Sequence, residues 1–209
     1  MKRIRSSLAI LAVVFTSVAA LAGGSEISTP GKRFADNNCN WCHGSSGQGY
    51  TIAPRLAGQR RQYIENQLRD FFKHTRDNPF SQQYMWGVRG APMVLSPETV
   101  QDLAHYFSSL YPEAACDGDK RLAAQGQIIY QDGIPRSNIP SCVACHGPNA
   151  EGVRAFPRLG GLSYYYLKRK LREWGEGYHA AAVRPMPGVA SKMSDEEIEA
   201  VASYLSFIP

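Results

Sequence analysis

After residue 22 the sequence has no apolar stretch approaching the roughly 20 residues that cross a bilayer as a helix. It also has no polar–apolar alternation long enough for a useful strand, which excludes a sheet-based fold and favours an all-helical one. Excess charge of one sign is equally scarce. The formal net charge is +5, but Lys2, Arg3 and Arg5 crowd the first five positions. Without them, 20 basic residues face 18 acidic ones, a net +2 spread along the chain. No nucleic-acid partner is expected from that balance. The one local basic cluster, Lys168-Arg169-Lys170, reads as the surface of a helix. Cysteine is sparse and odd in number, five in all, so the cysteines do not all pair within one chain.

What is present begins with the N-terminus. The basic start is followed by an uncharged run from Leu8 to Leu21 and an Ala20-Leu21-Ala22 ending. This is the pattern of a secretory signal peptide, and its apolar core is shorter than a membrane anchor requires. Residues 1–22 are therefore read as the signal, with a mature chain starting near Gly23 outside the cytoplasm.

Four of the five cysteines fall into two identical motifs, Cys39-Asn40-Trp41-Cys42-His43-Gly44 and Cys142-Val143-Ala144-Cys145-His146-Gly147. The offset of 103 between them persists downstream. Gly49 matches Gly152, Pro54-Arg55-Leu56 matches Pro157-Arg158-Leu159, Gly58 matches Gly161, and Tyr63 matches Tyr166. Towards the ends the offset becomes 98, where Ser96-Pro97-Glu98 matches Ser194-Asp195-Glu196. A repeat of this length is a duplicated domain. The turn-rich segment 111–119 divides residues 23–112 from residues 113–209. A linker so short should keep the two copies in contact.

Each copy reads as helical. Residues 31–38 and 120–131 are expected to enter the motifs as helices. Residues 59–74 and 163–176 carry apolar side chains at helical spacing. Ser96 and Ser194 mark the caps of the two closing helices, with Glu197 completing a capping box. The glycine- and proline-containing stretches between helices are too long for a simple bundle. Something other than side chains must fill part of each core.

C-x-x-C-H is the attachment signature of c-type haem. Two cysteines three residues apart on one turn can reach two vinyl groups, and the next histidine then faces the iron. Cys39, Cys42, Cys142 and Cys145 are the expected thioether positions, with His43 and His146 as proximal ligands. Zinc ribbons space their pairs far more closely, and a thioredoxin-like pair needs a βαβ context. For electron transfer a thioether is the usual sixth ligand, and it favours ferrous iron. Met186 lies 40 residues after His146, in a constrained loop; Met193, just before a helix cap, is expected in the core. In the first copy Met85 lies 42 residues after His43 and Met93 lies 50 after it, so spacing selects Met85. His74, His105 and His179 are expected to be cap or surface residues. Pro54 and Pro157, each 11 residues past a proximal histidine, could supply the carbonyl that orients its ring. Arg55 and Arg158 are candidates for pairing with haem propionates. Cys116, in the linker, is read as a free or capping thiol.

With these residues in place the chain resembles a known family. C-x-x-C-H-G, then "APRLAGQ" or "FPRLGGL", a helix, a methionine loop and a closing helix resemble class I cytochrome c domains. Two in tandem resemble the periplasmic dihaem cytochromes called cytochrome c-four. The resemblance implies an all-α fold of two tandem class I cytochrome c domains, each packed around one covalent haem. It implies a periplasmic electron carrier between a respiratory donor, such as a quinol–cytochrome c oxidoreductase, and a terminal oxidase or other acceptor. Its partners would be redox proteins, including membrane respiratory complexes. The alternative expectations are a dihaem redox enzyme, thiosulfate dehydrogenase-like or peroxidase-like, and a cytochrome subunit of a larger dehydrogenase.

Overall fold

The structure is a computed structural model that describes residues 29–50, 53–86, 95–178 and 185–209. The expected signal segment 1–22, Met93 and His179 lie outside the described residues. Among the described residues there are helices and one isolated bridge, Ile134 with Ile139, but no strand.

The helices form two groups in chain order. The first contains α1 (Pro30–Asn38), α2 (Asn40–His43), α3 (Arg61–Phe72), α4 (Pro79–Tyr84) and α5 (Pro97–Ser109). The second contains α6 (Lys120–Asp132), α7 (Val143–His146), α8 (Tyr164–Gly175), α9 (Met186–Ala190) and α10 (Asp195–Phe207). A 3-10 turn, Pro135–Ser137, follows α6. The long helices lie within one or two residues of the ranges expected from periodicity. The one-turn helices α2 and α7 and the short α4 and α9 carry too few residues for a periodic signal.

Equivalent helices pack in the same way in both groups. In the first, α5 packs on α1 and α3; in the second, α10 packs on α6 and α8. Both crossings of entry helix on closing helix are built on a glycine. A Cβ at Gly31 would collide with the carbonyl of Asp102, and one at Gly126 with the carbonyl of Ala200. The capping expectations also hold. Ser96 Oγ accepts the Thr99 N–H at 3.2 Å, and Ser194 and Glu197 form a reciprocal capping box.

The cores differ in size. Ile64, Leu103 and Phe107 anchor a small one in the first group. Tyr130, Tyr166, Leu167, Trp174, Val201 and Leu205 belong to a larger one in the second. Between them lies an apolar cavity of about 610 Å³ with walls drawn from both groups. This is the space that the side chains do not fill.

Residues 111–119 are tied to both groups. Gln48 donates to the Tyr111 carbonyl at 2.8 Å and Arg55 to the Glu113 carbonyl at 3.0 Å. The Ala115 N–H donates to Gly161 and the Cys116 N–H to Ser206. Cys116 is exposed, with its thiol free. The two groups therefore meet directly, as the short linker requires.

Candidate functional site

The two motifs adopt one geometry. Each forms a single helical turn, α2 or α7, with its histidine at the end. The glycine after each histidine has positive φ, +75° at Gly44 and +82° at Gly147, so the chain must turn where an L side chain would be strained. The Gly49 N–H returns to the His43 carbonyl at 2.7 Å and the Gly152 N–H to the His146 carbonyl at 2.8 Å. These returns bring the Pro54 and Pro157 segments back beneath the histidines.

Both histidines are buried and oriented. His43 Nδ1 donates to the Pro54 carbonyl at 2.8 Å, and His146 Nδ1 donates to the Pro157 carbonyl at 2.9 Å. The proline-carbonyl expectation is met in both copies. A carbonyl can only accept, so each ring keeps its proton on Nδ1 and presents the Nε2 lone pair. Burial pushes both imidazoles below their usual pKa, which favours the neutral, ligating form.

Burial pushes the Cys39 and Cys142 thiols up to about 11. Among the described residues, no group of three or more His, Cys, Asp or Glu side chains could hold a metal ion.

His43, His146, Met85, Met186, Cys39 and Cys142 all line the one cavity. Met85 caps α4 with its N–H on the Ser81 carbonyl at 2.9 Å. The next residue is fixed too, since Trp86 Nε1 donates to the Arg76 carbonyl at 2.9 Å. Met186 instead opens α9 and packs on the second core, as does Met193. His105 is exposed. His74 is exposed beyond the end of α3, stacked on Trp86 at 4.1 Å.

The cavity wall also supplies polar contacts suited to a porphyrin with carboxylates. Arg76 Nε and Trp174 Nε1 are buried donors with no hydrogen-bond partner, on residues that line the cavity. Arg158, next to the lining residue Pro157, has two buried nitrogens without a partner, Nε and Nη2. Arg55, its counterpart, is instead held by Gln48 at 2.7 Å and by Glu113. The residues present therefore fit an apolar macrocycle with acidic edges.

The sequence reading expected the two groups to touch but missed the residues that form the interface. Lys168-Arg169-Lys170 is not a surface cluster: Lys170 is 5% exposed, and the Arg169 guanidinium lies 4.0 Å over the Phe80 ring of the other group. The reason is a second helix face. Tyr166, Lys170 and Glu173 on α8 hold the same positions, shifted by 103, as Tyr63, Gln67 and Asp70 on α3, and Tyr166 meets Tyr63 across the interface. Arg76 donates to Gln67 at 2.6 Å and to the Tyr166 hydroxyl at 3.3 Å. Asn78 donates to Glu173 at 2.6 Å. The signal was available in the repeat itself, because both copies place polar residues at buried helical spacing.

Twin C-x-x-C-H turns with carbonyl-oriented histidines, around an apolar cavity, define a c-type cytochrome with two haem-binding units. The cytochrome c family model matches residues 28–111 and again 123–208, and the chain belongs to that family. It carries two covalently bound haem c groups, one per unit. The chain is 32% identical over 205 residues to cytochrome c-552 of Acidithiobacillus ferridurans, covering 97% of this chain and 87% of that protein. It is 36% identical over 214 residues to a thiosulfate dehydrogenase electron acceptor of Stutzerimonas stutzeri, covering 99% and 96%. The solved cytochrome c4 of Acidithiobacillus ferrooxidans superposes with a TM-score of 0.72 at 35% identity, covering 81% of this chain and 98% of that one. The protein is thus a dihaem, cytochrome c4-like electron carrier.

Proposed function

We propose that the protein is a periplasmic electron shuttle that takes single electrons from a respiratory donor and passes them to a terminal oxidase or another acceptor. His43 with Met85, and His146 with Met186, would hold the two irons. Cys39, Cys42, Cys142 and Cys145 carry the thioether links. The functional units are residues 23–112 and 113–209, after removal of residues 1–22.

The observation that carries this reading is the placement of both histidines and both methionines on the wall of a single apolar cavity. Haem supplies reversible one-electron exchange at iron, and the protein supplies its surroundings. Pro54 and Pro157 hold the imidazole rings through Nδ1. Met85 and Met186 provide soft thioether sulfur, which leaves no open position for substrate. The apolar wall excludes water. The shared interface keeps the two sites in one body and so favours transfer between them.

The relatives support one class of donor. One is named as an electron acceptor of thiosulfate dehydrogenase, which supports an enzyme of that class as a donor and this chain as carrier rather than catalyst. The test is stopped-flow mixing of the oxidised holoprotein with thiosulfate alone, with thiosulfate plus a thiosulfate dehydrogenase, and with quinol plus a quinol–cytochrome c oxidoreductase. Rapid reduction only when an enzyme is present supports the shuttle. Reduction by thiosulfate alone, or turnover of peroxide, overturns it in favour of a redox enzyme.

A further inference from the structure

Among the described residues the interface holds more positive than negative charge, and Lys170, Glu173 and Arg76 are withdrawn from water. Lys170 Nζ donates to Glu173 Oε2 at 2.7 Å, while Asn78 occupies the other carboxylate oxygen at 2.6 Å. Arg169 Nε lies 3.5 Å from the same carboxylate. Arg76, from the opposite group, is also buried and adds a further cation. Among the described residues, one glutamate therefore faces three cations. Lys170 Nζ also lies 5.7 Å from the centre of the Trp174 ring on its own helix, and Tyr63, Gln67 and Asp70 hold the positions on α3 that match Tyr166, Lys170 and Glu173. Asp70 is only half-buried, bonded to Thr75 and biased towards its neutral form by desolvation. On the far flank of α8, Glu199 and Asp195 of α10 are engaged by Lys168 and Arg172. α9 has no titratable side chain.

Arginine cannot shed its proton in a protein, whereas a desolvated lysine can. Lys170 is therefore the member of this cluster that can relieve the excess charge. It also lines the cavity shared by both histidines and both methionines, so a charge gained or lost at either site acts on it through apolar surroundings.

We propose that Lys170 is a redox-linked proton site, so that electron uptake by the protein is coupled to protonation of its buried amine. The balance is simple. One electron arrives from the protein's redox donor, one proton arrives from water, and Nζ passes from amine to ammonium with no other bond changed. Electron release reverses both. Burial, with Arg76 as the next contributor, lowers the amine to about 7, which places the exchange in the neutral range. In the first unit the same helix position is Gln67, so the proton site belongs to one unit only.

This inference rests on the dihaem reading but fails separately from it. The experiment is potentiometric titration of the intact holoprotein between pH 5.5 and 9, with proton uptake on reduction followed by an indicator dye in weak buffer. In the wild type, the reduction equilibrium of at least one haem should fall with rising pH around neutrality, by up to tenfold per pH unit. Lys170→Gln, which copies the first unit, should abolish both that slope and the proton uptake. Lys170→Arg keeps a fixed charge and guards against misfolding of the glutamine variant. It should also flatten the slope, and its potential should exceed that of the wild type at pH 9. Lys168→Gln, on the flank away from the interface, should retain the wild-type slope. A pH-independent wild type overturns the proposal while leaving two titrating haems intact. A slope that survives both Lys170 variants also overturns it and assigns the proton to the porphyrin carboxylates.

Discussion

Gln59 of the first unit clasps the backbone of Arg158 in the second. Its Nε2 donates to the Arg158 carbonyl at 3.0 Å, and its Oε1 accepts the Arg158 N–H at 2.7 Å. The residue before Arg158 is Pro157, whose carbonyl orients His146. One unit thus steadies the loop that aims the histidine of the other. No reciprocal clasp exists, because the position matching Gln59 is Leu162.

Gln59→Leu should perturb the second haem although the residue belongs to the first unit. It leaves a buried N–H and C=O of Arg158 without their partner, a loss on the order of 1–3 kcal/mol for a buried group. Denaturant unfolding should register that loss. Paramagnetic NMR of the oxidised protein should show shifted resonances for the second haem and unchanged ones for the first. Equal shifts at both haems would refute the one-way clasp.

Covalent attachment predicts that acid–acetone leaves the colour with the protein, and that intact mass rises by two haems. Replacing Cys142 and Cys145 together with alanine should reduce the increment to one. Haem extractable from the wild type would contradict attachment through both motifs.

The methionine assignments separate by spectroscopy. Met186→Ala and Met85→Ala should each remove one share of the weak far-red ferric band that reports methionine–iron bonding, and should lower the potential of that haem. Met93→Ala should leave the spectrum unchanged. Loss of the band in the Met93 variant would transfer the role from Met85 to Met93.

Stability should depend on pH through Lys170. Its folded pKa of about 7 lies below the 10.5 usual for a lysine amine. Between those values the unfolded chain binds more protons than the folded one, so stability rises with pH across that window. Below pH 7 the cost of charging the buried amine is fully present. Lys170→Gln should therefore gain most, relative to wild type, at pH 6 and least near pH 10. Chemical denaturation of the reduced holoprotein at those pH values measures the trend, and a difference independent of pH would contradict it.

Much was legible in the sequence. The C-x-x-C-H-G turns, the duplication, the proline carbonyls and the capped closing helices are local features, each set by residues close along the chain. The arginines were less legible. Arg55 and Arg158 occupy equivalent places, yet one is tied to Gln48 and Glu113 while the other keeps buried nitrogens without a partner. That difference depends on where the linker passes.

The sequence alone determined two helical units, two covalent attachment turns and the histidines that face a metal, because spacing within a turn fixes those contacts. Only the tertiary structure decided that Lys170 is buried rather than solvated, that Gln59 reaches Arg158, and that both sites open on one cavity. These relationships join residues about a hundred positions apart. Periodicity can say that a helix has a polar face, but which surface covers that face is settled only when the two copies pack together.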